Sequence, residues 1–426
     1  MTDNPVKDHY ENLVELKYQL YNSLFLTLPL DAVEQTSLLL PLLDEASHAG
    51  LKAGLNPKQI LVEFFKSHRP DLDEQKQAQF LFKIIQYIER QVVLIDALED
   101  AAYEKIHRTE ESNKLRQLTE RVVSEGQQEQ LKNILASFGA RVILTAHPTQ
   151  FYPGTVLAII TDLTDAIQAN DIGLARSLLQ QLGNTPFFQK EKPSPLDEAG
   201  QLSWYLGNVF YPAIGDVLDY LNDYQKDREA TQDQLLSIGF WPGGDRDGNP
   251  FVTTTITRQV AEKLRARIVE CYHKEVRELK RRLSFVGVAS EIEAIEKQLY
   301  NELTHERGDC FSNPEALIQD LNSIQQTLEK DFQGLFVDRL ISFKRKITAF
   351  GFHFASLDIR QDSRVLKSTL DNIVSSNSEL LPSHFPTLAE SEQIQALLDI
   401  LSGIDANKLN ETIARDTIDS LRTIRE

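Results

Sequence analysis

The chain has 426 residues with 41% hydrophobic content, enough to bury a large core and to form two domains or one large elaborated one. Lys and Arg number 45 against 63 Asp and Glu, a formal net charge of −18, which argues against nucleic acid or an anionic membrane as partner and leaves any anionic ligand to local arginines. The two cysteines, Cys271 and Cys310, have no metal-type spacing and cannot form a disulfide framework, so buried free thiols in a reducing cytoplasm are expected. The first residues lack an apolar signal core, and no apolar run approaches the ~18 residues of a membrane span, so a soluble, untargeted protein is expected.

From Asp8 to about Ala140 the pattern is helical. Leu13, Leu16, Leu20, Leu24 and Leu28 recur at three-to-four spacing, and the period continues through Leu38 to Leu43, Ile60 to Phe65 and Phe80 to Leu98. Breaks are expected at Pro29, at Gly54 to Pro57 and at Arg69 to Asp71. No catalytic motif falls in this region, which reads as an all-helical scaffold over residues 1–140. Arg141 to Leu144 is too short for a helix and rich in β-formers, and Pro148 forbids helix through His147, so His147 is placed at the carboxyl end of a strand. Helices are expected from about Gly154 to Ile167 and from Ile172 to Leu182. One long helix then covers Leu196 to Tyr224, opened by Ser194 and Pro195 and kinked at Pro212.

A second apolar run, Leu236 to Trp241, enters the turn P-G-G-D-R-D-G-N-P at Pro242 to Pro250, and Thr253 caps a basic helix from Ile256 to about Leu283. That helix interleaves Lys and Arg with Glu262, Glu270, Glu275 and Glu278, as a solvated face does. Helices follow at Ile292 to Leu303, Asn313 to Phe332 and Phe336 to Phe350. A third run, Phe350 to Ser363, alternates His353, Ala355, Leu357 and Ile359 with Phe352, Phe354, Ser356 and Asp358 as a strand would, with Asp362 or Ser363 capping the helix Val365 to Ile373. Helices near Ile394 to Leu401 and Thr412 to Ile424 complete the pattern. The last carries no Gly, Asn or Pro to stop it, as if the chain were cut there.

Three strand ends, near 144–147, 238–246 and 354–360, thus carry polar clusters with His147, Arg246 and Arg360 at their tips, 99 and 114 residues apart. Connections that long must hold helical insertions. The expected fold is mainly α with a few parallel β-strands: residues 141–426 form the first part of an incomplete (β/α)8 TIM-type barrel heavily elaborated with helices, its C-terminal half absent. A histidine at a strand end can serve as acid or base near neutral pH, although a structural histidine bonded to a carbonyl fits the same residues. Arg360 between Asp358 and Asp362 is either an ion-pair residue or a bidentate anion ligand, and G-G-D-R-D-G-N-P is either a tight turn or a ligand loop. The D-x-D-G spacing is not that of an EF-hand, and no G-x-S-x-G, P-loop, G-x-G-x-x-G or H-E-x-x-H occurs, which leaves acid/base chemistry on a small anion.

Three motifs in this order, L-T-A-H-P-T-Q at Leu144 to Gln150, W-P-G-G-D-R-D-G-N-P at Trp241 to Pro250 and L-D-I-R-Q-D-S at Leu357 to Ser363, resemble the phosphoenolpyruvate carboxylase family, over the N-terminal half of its pattern. The resemblance implies carboxylation of phosphoenolpyruvate by bicarbonate to oxaloacetate and phosphate, through carboxyphosphate and an enolate. It implies His147 as the base for carboxyphosphate, Arg360 as a ligand of the substrate phosphate, and Arg246 as a further substrate-binding residue at the rim or base of the site. Mg2+ or Mn2+ is implied as cofactor, with ligands expected in the missing C-terminal half and none in this chain. Full-length members are homo-oligomers, and this chain's expected partners are its missing half and the two substrates. Where the family carries an arginine pair after the histidine motif, this chain has Phe151-Tyr152-Pro153-Gly154, so the resemblance does not carry an arginine-based effector site here. Two readings stay open: the N-terminal part of a carboxylase, inactive alone, or a non-catalytic binding or scaffold protein that kept the first half of the fold.

Overall fold

The structure, a computed structural model, describes residues 5–26, 28, 36–107, 114–145, 152, 154–187, 193–225, 235–304, 308–376, 380–400 and 403–425. The chain divides into two compact units, Met1–Arg121 with Thr149–Lys192, and Val122–Pro148 with Pro193–Glu426. Among the described residues no helix is long and apolar enough to cross a membrane.

The first unit is helical. Its longest helix, Glu74–His107, buries Val93, Leu94, Ala97, Leu98 and Ala101, the three-to-four spacing that puts one apolar stripe on one face. That stripe forms one core with Val156, Ile159, Leu163 and Ile167 of Gly154–Gln168 and with Leu178, Leu179 and Leu182 of Ile172–Asn184. Two of the expected breaks are helix boundaries: Asn56 and Gln59 close a capping box around Pro57, and the helix Pro57–His68 ends before an Arg69–Asp71 ion pair. Pro29 lies outside the described residues. Arg90 is buried with its charge shared among three carbonyls, donating from Nε to Leu182 at 3.1 Å, from Nη1 to Gln86 at 2.8 Å and from Nη2 to Thr185 at 2.9 Å. It thereby gives the Thr185 carbonyl, just past the end of Ile172–Asn184, a donor, and adds a second one to the Leu182 carbonyl, which also accepts from the Thr185 amide.

Burial holds carboxyls of the long helix above their ordinary range, Glu89, Asp96 and Asp100 among them. Burial raises Glu89, whose Oε2 is buried without a hydrogen-bond partner, and burial raises Asp96, against the hydrogen bond it accepts from Tyr152 at 2.9 Å. A carboxyl whose folded pKa is raised binds its proton more readily in the folded state, so this contribution to stability grows as pH falls through the folded pKa. Mild acidification from pH 7 is therefore expected to raise the melting temperature of the helical unit, and Glu89→Gln to flatten that rise. A pH profile identical in the parent and Glu89→Gln would remove Glu89 from the account.

The second unit holds a three-stranded parallel sheet in the order β1 (Ala140–Leu144), β2 (Leu236–Phe240), β3 (Ser356–Leu357). Arg141 pairs with Ser237 and Leu144 with Phe240, while Phe240 also pairs with Leu357. Parallel neighbours need long crossovers, and helices supply them. Phe240 and Ile238 enter a core built by the helices Thr254–Lys280, Ala289–Thr304, Pro314–Asp331 and Val337–Phe350. A smaller core, with Ile373, Leu381, Phe385, Leu409 and Ile418, lies under the last helices. The mainly helical chain with a few parallel strands follows the expectation from periodicity.

The helix starts read from capping chemistry are present: Ser194 with Asp197 around Pro195, Thr253 before Thr254, Asn313 before Pro314, and Asp362 accepting from the Arg364 amide at 2.8 Å. Three expectations need correction. The helix over 196–224 is interrupted by a π-segment, Leu206–Phe210, between Pro195–Tyr205 and Tyr211–Gln225, because Pro212 has no N–H for the regular ladder and its ring crowds the preceding turn. The third strand is two residues long, since Gly351 (φ 54°) and Phe354 (φ 63°) turn the backbone left-handed where alternation suggested an extended chain. Phe352 and Phe354 are both buried in that turn. Finally, Cys310 is exposed and Cys271 only partly buried, so neither thiol is a fully buried core residue.

Candidate functional site

Because the sheet is parallel, the segments that leave β2 and β3 emerge at one end, where the two later motifs lie. The motif after β1 begins at Leu144, but His147 falls outside the described residues. Arg246 and Arg360 are brought together by backbone pairing that extends the sheet past its strands. The Arg246 amide donates to the Arg360 carbonyl at 2.9 Å, the Arg360 amide to the Gly244 carbonyl at 3.0 Å, and Asp245 and Arg360 form an isolated parallel bridge.

The loop after β2 is held along its length. The Trp241 amide donates to Leu144 of β1 at 2.9 Å, and Thr257 Oγ1 donates to the Gly243 carbonyl at 2.6 Å. The glycines are required by space as well as by conformation. Gly243 has φ +80° and lies against Val260, and a β-carbon on Gly244 would overlap the Asp358 carbonyl oxygen.

This backbone aims the side chains. Asp245 accepts from Arg360 Nη1 at 2.8 Å, and the Arg360 guanidinium carbon stands 4.0 Å from the centroid of the Trp241 ring. The Arg360 side chain is nevertheless 40% exposed, against 13% for Asp245. One edge of the guanidinium is held and, among the described residues, its other donors have no hydrogen-bond partner, the arrangement that suits bidentate capture of a phosphate or carboxylate. Arg246 is different. Its side chain is 5% exposed, ion-paired through Nη2 to the Asp416 carboxylate on the helix Thr412–Arg425, and donates from Nη1 to the Asp416 carbonyl at 3.3 Å. Burial pushes the Arg246 guanidinium below its ordinary pKa. Nearby, Arg141 of β1 and Asp358 after β3 form an ion pair lying over Gly239 of β2.

Three contributors went unread in the sequence. Trp241 stood inside a quoted motif and had a visible signal, a large aromatic at a strand end; Arg141 and Asp416 had none, since their partners lie far away along the chain. Among the described residues no group of three or more His, Cys, Asp or Glu side chains is placed to hold a metal ion. Three acidic residues of the cluster are already engaged, Asp245 by Arg360, Asp358 by Arg141 and Asp416 by Arg246. A cavity of about 640 Å3 lies elsewhere in the unit, lined by Tyr211, Asp219, Glu275 and Lys346 among others, and none of its lining residues belongs to the three motifs. Burial there pushes the Cys271 thiol up to about 11.

A family model described as phosphoenolpyruvate carboxylase matches residues 77–304 and 288–426. Curated relatives named phosphoenolpyruvate carboxylase include one from Aliivibrio salmonicida (strain LFI1238), 28% identical over 308 residues that cover 61% of this chain and 34% of the relative. Another, from Vibrio vulnificus (strain YJ016), is 31% identical over 269 residues covering 52% and 30%. A third, from Shewanella halifaxensis (strain HAW-EB4), is 28% identical over 284 residues covering 55% and 32%. The chain spans about a third of the length of these relatives. With the family model matched from residue 77 to residue 426 and motif loops set at the ends of parallel strands, the chain belongs to the phosphoenolpyruvate carboxylase family.

Proposed function

We propose that this chain is the N-terminal part of a phosphoenolpyruvate carboxylase, contributing the histidine and one phosphate-binding arginine to a site that other parts of the protein complete. The observation that carries the reading is Arg360: a guanidinium braced by Asp245 and Trp241 at the carboxyl end of parallel strands, with donors left for an anion. In this reading β1, β2 and β3 begin a helix-rich (β/α)8 barrel. β1 is an edge strand of the described sheet, which leaves an edge at which further strands could pair.

The chemistry assigned to the chain's own residues follows from what each step needs. Arg360 holds the phosphoryl group of phosphoenolpyruvate while a bicarbonate oxygen attacks phosphorus, breaking the bond to the enol oxygen and leaving carboxyphosphate and an enolate. His147 takes the carboxyl proton, so that carboxyphosphate breaks into CO2 and phosphate. The enolate carbon then captures CO2 to give oxaloacetate. Arg246, tied to Asp416, fixes the base of the site. The Mg2+ or Mn2+ implied by the family does not fit the described side chains as a ligand set, since the carboxylates nearest the site are engaged by arginines. Its ligands, with any oligomer contacts, are assigned to the remainder of the protein.

Purified 426-residue chain supplied with phosphoenolpyruvate, bicarbonate and Mg2+ or Mn2+ is expected to form no oxaloacetate. Turnover by the pure chain would overturn its reading as a partial site. In any assembly of the chain that does turn over, His147→Asn is expected to keep phosphoenolpyruvate binding and to lower oxaloacetate formation about 10²–10⁴-fold. Unchanged output would remove His147 from the mechanism.

A further inference from the structure

We propose that Asp416 is a positioning residue for the anion site, acting on Arg360 through Arg246; the inference rests on the reading of Arg360 as the phosphate ligand. Besides its backbone pairing with Arg360, the loop after β2 has three anchors. Two lie at its start: the Trp241 amide on Leu144 of β1 and the Gly243 carbonyl on Thr257. The third is the Arg246 side chain, which reaches 170 residues along the chain to Asp416.

The third anchor bears on Arg360 most directly. Residues 244 to 246 carry every described contact between this loop and the Arg360 backbone, and Asp245, between them, grips the guanidinium. The Arg246 backbone and side chain are one rigid piece once the guanidinium is buried, because a charge with a 5% exposed side chain cannot leave its carboxylate without losing both solvation and pairing. Asp416 is itself held by its helix, where Ala414, Thr417, Ile418 and Ser420 are buried around it. Movement of that helix is therefore transmitted to Asp245, and from Asp245 to the angle at which Arg360 crosses the Trp241 ring. The smaller core beneath the last helices becomes part of the anion site's support.

Trp241 reports on this directly, because the chain has two tryptophans and Trp204→Phe leaves Trp241 alone under the Arg360 guanidinium. In that background, without ligand, Asp416→Asn is expected to shift the Trp241 emission as Arg360→Ala does. Asp416→Glu is expected to restore the parent spectrum, and Asp419→Asn, on the same helix but paired among the described residues with Arg422, to leave it unchanged. If Asp416→Asn does not fold, Arg246→Met/Asp416→Leu removes both charges together and is expected to give the same shift. A parental spectrum in whichever of these two variants folds overturns the proposal. Phosphoenolpyruvate then separates the two claims. Asp416→Asn is expected to weaken its binding roughly tenfold, as the loss of one well-placed hydrogen bond to a charged group does. If the parent binds no phosphoenolpyruvate while the ligand-free shift is present, the functional reading fails and the positioning of Arg360 stands.

Discussion

Tyr272→Ala is expected to destabilise the second unit by about 4 kcal/mol, the range for emptying a fully buried aromatic site. Tyr272 is 0% exposed on the helix Thr254–Lys280, with Phe343 edge-on at 5.6 Å between ring centroids and Tyr211 and Phe352 each at 6.2 Å. Its hydroxyl donates to the Gly351 carbonyl at 2.6 Å. That contact ties the core to the left-handed turn that sets up β3, so the cavity would also loosen the segment leading to Arg360. Tyr272→Phe keeps the ring and removes only the hydrogen bond, an expected loss of about 1 kcal/mol. Urea unfolding of the three proteins compares these costs. An alanine variant within about 1 kcal/mol of the parent would mean that the site collapses without a cavity and that the aromatic cluster does not hold the turn.

What the sequence made legible follows from the range of each interaction. Apolar spacing reports on a helix's own faces, so Val93, Leu94, Ala97 and Leu98 could be read as one stripe. Caps are encoded within four residues, which is why Ser194, Thr253 and Asn313 mark true helix starts. The motifs at Trp241 to Pro250 and Leu357 to Ser363 sit at strand ends, as a short apolar run followed by a Gly-, Pro- or Asp-containing turn suggests.

The misses have equally local causes. Alternation of buried aromatics at Phe352 and Phe354 imitates a strand, yet Phe354 takes φ 63°, a conformation a β-substituted residue adopts only when its surroundings hold it. Phe350 at 5.3 Å and Tyr211 at 6.3 Å supply that packing, and neither contact follows from alternation. Pro212 announced a disturbance but not its form, because a proline in a helix can kink it or widen it into a π-turn. The pairing of Arg246 with Asp416 depends on two helices and a loop reaching their places, which no spacing rule encodes. It also explains how two arginines that look equivalent in the sequence differ in the fold: one is partly exposed, with donors unpaired among the described residues, and one is buried and spent on holding the loop.

The difference between the arginines carries the other large expected effect. Two charge-assisted hydrogen bonds from Arg360 to a phosphoryl group are worth together about 3 kcal/mol, and their loss corresponds to roughly a hundredfold in affinity. Arg360→Ala should therefore abolish measurable phosphoenolpyruvate binding without unfolding the chain, since its side chain is 40% exposed and its backbone pairing with Gly244 and Arg246 remains. Calorimetric titration of the purified chain with phosphoenolpyruvate, parent beside Arg360→Ala, is the most direct test. The account expects saturable binding by the parent that the variant loses by about a hundredfold. No binding by the parent, or equal binding by both, would contradict it and favour a family member that serves as a scaffold.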